Sequence, residues 1–257
     1  MAEERERSGD VGPAPAVGGE GGLREKRSAA RKRERGRRGG KMLIIAGISL
    51  ILAGLLALAG IYSYIYYTNR RAAAAQEELF RQWEENPVPS GGGSVSVGDG
   101  IARIVVPRID LDAIVVELSG LDDGENLKRG PGHIPTTAYP GQPGNCVISG
   151  HRTTYGAPFR QIEQLTPGEE ITLVTADRRY TYEVYEQRVV FPTDLTVLEQ
   201  EGESKVTLTA CHPWYSAAQR IVVIARLASA VESGGGEASR DRSGLRRRWP
   251  MALLQAD

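Results

Sequence analysis

Residues 42–67, MLIIAGISLILAGLLALAGIYSYIYY, run without a single charged side chain. A helix needs about 20 apolar residues to cross the hydrocarbon core of a bilayer, and this run exceeds that. Tyr62, Tyr64, Tyr66 and Tyr67 gather at its C-terminal end, where amphipathic rings favour the membrane–water interface. The run is longer than the roughly 7–15 apolar residues of a secretory signal core. It reads as a retained transmembrane anchor rather than a cleaved signal.

The anchor divides the charge. The formal net charge is zero, but Arg24, Lys26, Arg27, Arg31, Lys32, Arg33, Arg35, Arg37, Arg38 and Lys41 all precede the apolar run. From Asp99 to Ala228 there are 17 acidic against 12 basic residues. Lys and Arg beside a span mark its cytoplasmic side. The expected topology is single-pass in the cell membrane, with the N-terminus cytoplasmic and the rest extracellular. A basic tail is also a footprint of nucleic-acid binding, but the adjacent span explains it better, and no nucleic-acid partner is expected.

Composition sets the remaining boundaries. Residues 1–41 carry few large apolar side chains and cannot bury enough surface to offset chain entropy, so they are expected to be disordered. Residues 229–257, with Gly234-Gly235-Gly236 and Arg246-Arg247-Arg248, are expected to behave likewise. Residues 68–98 form a stalk and linker: 70–85 favour helix, and Pro87, Pro89 and Gly91-Gly92-Gly93-Ser94 then break regular structure. Such a tether holds the next domain near the membrane without fixing its orientation.

Residues 99–228 are the folded region. Runs rich in Val, Ile, Thr and Tyr at 101–106, 113–117, 145–149, 171–175, 180–190, 205–210 and 220–226 are separated by Gly, Pro or Asp and predict strands. The pair 171–175 and 180–190 predicts a hairpin, and 158–165 a short helical turn. Many short strands in so few residues indicate a mainly β domain, either a closed barrel or a sandwich.

Two cysteines, Cys146 and Cys211, invite a disulfide in an exported domain. Their settings argue otherwise. Cys146 lies among apolar residues, like a small core side chain. Cys211 ends the run 206–210 and is followed by His212-Pro213, so it sits at a strand mouth. A nucleophilic Cys needs a base. His212 is its neighbour and on a strand points to the opposite face. His133 lies in a Gly/Pro-rich loop and reads as an exposed or turn-packing residue. His151 follows the strand 145–149, so a parallel alignment of that strand with 205–210 brings His151 to Cys211. Cys146 then lies about 16 Å away down the strand. Arg220 opens the last strand, and a hairpin-like return puts it near Cys211 to stabilise an oxyanion. Arg152, Arg160 and Arg188 read as surface charges.

Ser149-Gly150-His151-Arg152, then Thr207-Leu208-Thr209-Ala210-Cys211-His212-Pro213, then Arg220-Ile221-Val222-Val223, resemble the sortase signature of a strand-end His, a TLxTC-type strand and a downstream Arg. The loop from Gly130 through Phe159 looks most like class E, with class D next. The resemblance implies a closed sortase-type barrel of about eight strands with short helical turns. It implies a cysteine transpeptidase that cleaves an LPXTG- or LAXTG-like C-terminal sorting signal through a thioester on Cys211, with His151 as acid and base and Arg220 on the oxyanion. It implies secreted proteins as substrates, a peptidoglycan precursor amine as acceptor, and no cofactor or metal. Tyr139, Thr209, Ala210, Trp214 and Tyr215 become candidate substrate contacts; Ala210 stands where the family usually has Thr. A pilin-polymerising sortase is the alternative within the family.

Rival readings are distinguishable. A papain-like hydrolase has its Cys before its His, and an L,D-transpeptidase has its Arg much nearer the Cys. A non-catalytic, membrane-tethered β module binding envelope partners needs the strands but not Cys211, His151 and Arg220 together.

Overall fold

The computed structural model describes residues 20–200 and 202–233. The chain forms two units, residues 1–60 and 61–257. Helix α1 (Glu20–Glu85) contributes to both. In the first unit it carries the exposed apolar face of Met42, Leu43, Ile44, Leu50 and Leu56. The segment Lys41–Glu85 contains a window of mean hydropathy 2.7 with no burial, long and apolar enough to cross a membrane. The backbone is already helical from Glu20, whereas composition pointed to disorder throughout 1–41. The Ala, Arg, Lys and Glu between Leu23 and Lys41 are good helix formers, and extending an existing helix avoids the cost of nucleating one. The expectation for 1–19 and 234–257 lies outside the described residues.

The second unit is built on a closed barrel of eight strands in the order β1-β2-β3-β4-β7-β8-β6-β5. The strands are β1 (Gly100–Val106), β2 (Leu111–Glu117), β3 (Gly132–His133), β4 (Gly144–Gly150), β5 (Glu170–Val174), β6 (Arg178–Val190), β7 (Ser204–His212) and β8 (Gln219–Glu232). Each expected strand is present. The two-residue β3 carries too little pattern to be seen in sequence. The turn expected at 158–165 is a 3-10 turn at Ile162–Gln164. β8 extends to Glu232, past the expected boundary at 228, because its end pairs with the start of β6, Arg178 opposite Glu232.

Period-2 alternation fills the barrel. Ala102, Ile104 and Val106 of β1, Cys146 and Ile148 of β4, Val206, Leu208 and Ala210 of β7, and Ile221, Val223 and Ala225 of β8 share one core. β2 is apolar on both faces. Ala113 and Val115 enter the core, while Ile114 and Val116 pack against Leu79 and Trp83 of α1. A strand covered on both sides reads as a continuous apolar run.

That packing corrects the expectation of a loose tether. Gln76 Oε1 accepts the Ile114 N–H at 2.8 Å, and its Nε2 donates to the Ile114 and Arg129 carbonyls at 3.0 and 2.9 Å. The linker after Asn86 is irregular as expected, yet it is also held. Ser90 donates its N–H to Asp177 at 2.7 Å, and the Tyr180 hydroxyl donates to Ser90 Oγ at 2.7 Å. Residues 68–98 thus belong to the folded unit, because β2 needs a cover for its outer face.

Candidate active site

β4 and β7 run parallel and in register from Gly144↔Ser204 to Gly150↔Ala210. β7 and β8 run antiparallel, with Cys211 opposite Arg220 and His212 opposite Gln219. Inward residues on β7 are 206, 208 and 210, so alternation points Thr207, Thr209 and Cys211 outward. On β4 the inward residues are 146 and 148, and His151 falls on the outward series with Val147 and Ser149. On β8 the inward Ile221 leaves Arg220 outward. Continuing the β4–β7 ladder by one residue sets His151 beside Cys211. Positions 151, 211 and 220 therefore fall next to one another in the register on the outer face of the barrel, where β4 and β7 end and β8 begins.

The chain turns back sharply at this mouth. Phe159 is fully buried and donates its N–H to the His151 carbonyl at 3.1 Å. A Cβ on Gly150 would lie 2.5 Å from the Phe159 ring, so only glycine admits that packing. The folded-back loop half-buries His151, whose ring centroid lies 5.0 Å from that of Tyr155. His151 Nε2 is shielded from solvent and has no hydrogen-bond partner among the described residues. Burial, and then the positive charge of Lys128, hold its pKa down at about 4. At neutral pH the ring is uncharged and one of its nitrogens can accept a proton.

Cys146 and Cys211 are both free thiols. Cys146 is in the core, whereas Cys211 is partly exposed at the mouth. The register Cys146↔Val206 puts Cys146 five residues down the ladder from the Cys211 level. No disulfide joins them.

Arg220 is half-buried, and its Nη1 donates to the Ala217 and Gln219 carbonyls at 3.0 and 3.1 Å. These bonds hold it against its own loop, beside Cys211. Arg152 is not the surface charge that its sequence setting suggested. It is 4% exposed. Its Nη1 approaches the Cys211 carbonyl at 3.4 Å and His212 Nδ1 at 3.0 Å, and its Nη2 pairs with Glu163 at 2.8 Å. Its guanidinium also stacks on Trp214, 5.5 Å from the ring centroid. The missed signal was alternation: 152 continues the inward series 146, 148 and 150 just past the end of β4.

The candidate substrate contacts separate. Thr209 lies on the outer face, one pleat below Cys211 and opposite Val222. Trp214 and Tyr215 lie in the loop after Cys211; Tyr215 is 81% exposed, while Trp214 is held by Arg152 and Arg160. Ala210 is buried in the barrel core, so its side chain points away from the face that carries Cys211. Tyr139 is elsewhere too: its hydroxyl donates to Glu117 at 3.2 Å and its ring lies 4.9 Å from that of His133.

His133 is fully buried, so of its two readings, exposed or turn-packing, the exposed one fails. Its Nδ1 donates to Glu117 at 2.7 Å and its Nε2 to the Ala138 carbonyl at 3.1 Å. Both ring nitrogens face acceptors, so both carry protons. Burial opposes that charge, but the neighbouring Cys146 and Glu117 outweigh it and push the His133 pKa up to about 10. The barrel interior thus holds a buried Cys–His–carboxylate group apart from Cys211. It ties β2, β3 and β4 together.

A family model described as the sortase domain matches residues 104–228. Sortase SrtE1 of Streptomyces coelicolor is 30% identical over 219 residues, covering 77% of this chain and 61% of that protein. Sortase SrtE2 of the same organism is 30% identical over 223 residues, covering 75% of this chain and 84% of that protein. Among solved structures, the SrtA sortase from Actinomyces oris aligns with a TM-score of 0.51 and 27% identity. That alignment covers 61% of this chain and 97% of that chain.

Proposed function

The chain belongs to the sortase family, and on that premise we propose that it is a membrane-anchored cysteine transpeptidase with Cys211 as its nucleophile. The observation that carries this reading is the strand register that gathers His151, Cys211 and Arg220 on one outer face of the barrel mouth. The fold alone does not imply the chemistry; a partly exposed thiol at that register position supports it.

The substrate is a secreted protein with an LPXTG- or LAXTG-like C-terminal signal. Neutral His151 takes the proton from the Cys211 thiol as sulfur attacks the Thr carbonyl carbon. Negative charge collects on the carbonyl oxygen, and Arg220 supplies donors to it. As the tetrahedral intermediate collapses, the C–N bond breaks and His151 gives its proton to the leaving glycine amine. A thioester on Cys211 remains. An acceptor amine from a peptidoglycan precursor then attacks it. His151 takes the amine proton and returns it to the departing thiolate, which leaves a new amide and the free enzyme. Arg152, bonded to the Cys211 carbonyl and to His212, holds the strand end that presents the thiol.

The apolar part of α1 is the anchor. The basic residues before it place the N-terminus in the cytoplasm and the barrel outside. The relatives named SrtE1 and SrtE2 support a class E assignment.

Incubating the protein with a sorting-signal peptide and measuring intact mass tests this reading. The expected result is an acyl adduct on Cys211 that an added amine discharges into a ligated peptide. An adduct on Cys146, or none on either cysteine, would reject it.

A further inference from the structure

We propose that Asn69 and Tyr64 of α1 are positioning residues for the loop that carries His151, so that the anchor helix is a working part of the active site. The proposal rests on the reading of His151 as the catalytic base.

The contacts lie within the second unit. Gly156 donates its N–H to Asn69 Oδ1 at 2.9 Å, and Asn69 is only 9% exposed. The Tyr64 and Tyr155 hydroxyls lie 3.4 Å apart. Both bonds fall on the segment that leads from His151 to Phe159. The loop there passes through three consecutive left-handed residues: Tyr155 at φ 52°, Gly156 at φ 77° and Ala157 at φ 45°. Tyr and Ala adopt that region at a cost, and hold it only where their surroundings over-determine it. The loop's own bonds, Ala157 N–H to the Thr154 carbonyl and Phe159 N–H to the His151 carbonyl, secure its two ends. The middle is secured by α1.

Tyr155 links this brace to the chemistry. Its ring packs on His151 at 5.0 Å, and the Lys128 ammonium lies 5.8 Å from the Tyr155 centroid. A shift of Tyr155 therefore alters the cover and aim of the imidazole. The helix in turn is registered to the barrel through Gln76 at Ile114, and through Leu79 and Trp83 against Ile114 and Val116. The loop is thus held between the end of β4 and a helix that is itself locked to β2. Asn69 and Tyr64 act through Gly156 and Tyr155.

The test uses the full-length chain in detergent micelles, transferring a sorting-signal peptide to an amine, with active sites counted by Cys211 alkylation. Asn69→Leu removes the acceptor, and kcat per active site should fall about ten-fold, with KM near the wild-type value, since misplacement of a catalytic group slows the chemical step. Asn69→Asp keeps an acceptor oxygen and should restore most of kcat. Tyr64→Phe should lower it less. A purely structural role would change the number of active sites rather than kcat. Wild-type kcat in Asn69→Leu, or an Asn69→Asp variant as slow as Asn69→Leu, would overturn the proposal. If the wild type transfers no peptide, the functional reading fails instead. The brace is then judged by NMR of the His151 ring, whose signals Asn69→Leu should move and Asn69→Asp should leave in place; unmoved signals in Asn69→Leu overturn it.

Discussion

Arg220 lies directly across the β7–β8 ladder from Cys211, at the last pair but one before the strands part. Opposed residues in an antiparallel pair project to the same face, so the guanidinium and the thiol share the outer surface of the barrel. Arg220→Lys keeps the charge but loses the planar fork of donors. We expect kcat to fall about a hundred-fold, as when an oxyanion donor is removed, with the fold intact by circular dichroism. Full activity in steady-state peptide transfer would move the oxyanion role to another group.

The two cysteines should differ completely. Cys211→Ala should abolish the thioester, while Cys146→Ala should retain it, because Cys146 lies inside the barrel at 1% exposure. Iodoacetamide labelling of the folded protein, read by peptide mass, should mark Cys211 alone. Labelling of Cys146 without unfolding would contradict the closed interior.

The pH profile should carry the mark of a shielded base. His151 is held down from 6.5 to about 4 by burial and by Lys128. As a base it must be neutral, so the acid limb of kcat/KM should fall near 4 rather than 6.5. The same shift affects stability. Between 6.5 and about 4 the unfolded chain binds a proton that folded His151 does not, so this residue's contribution is present above 6.5 and is lost as pH falls through 4. An acid limb at 6.5 or above would show that the loop does not shield the ring.

The buried His133–Glu117 pair should act in the opposite sense. His133 is raised from 6.5 to about 10, so its contribution is full below 6.5 and is lost as pH rises through 10. Its side chain is 0% exposed and that of Glu117 5%. Glu117→Ala leaves a buried cation unpaired and should cost about 3–5 kcal/mol, measured by urea unfolding at pH 6. A cost under about 1 kcal/mol, the range of exposed pairs, would mean that His133 is neutral there.

Arg152 should matter for the strand end rather than for substrate affinity. Arg152→Gln removes the bonds to Cys211 and His212 and leaves Glu163 without its partner. The expected result is a lower kcat with KM little changed, together with increased exposure of Trp214 by fluorescence. A variant with wild-type kcat would make Arg152 a structural residue only.

Much of this was legible in the chain itself. Uncharged length marked the candidate span, period-2 apolar residues marked the strands, and Pro213 marked the end of β7 just past Cys211. Alternation over 146, 148 and 150 also contained the inward position of Arg152, but a charged residue beside a loop outweighed it in the reading. Burial of His133 was not legible, because its acceptor Glu117 is 16 residues away on a strand that pairs through the two-residue β3. The inward direction of Ala210 was implied by the outward direction of Cys211, and the resemblance to other chains obscured it.

The sequence by itself determined the periodicities, the long apolar run and the order His151, Cys211, Arg220, because these depend only on side-chain type and spacing. Tertiary structure alone decided that β4 and β7 lie parallel and in register, and that Asn69 of α1 bonds to the loop after His151. Those facts depend on pairing between segments tens of residues apart. Closure of the barrel and burial of both faces of β2 select that pairing, and no local pattern encodes it.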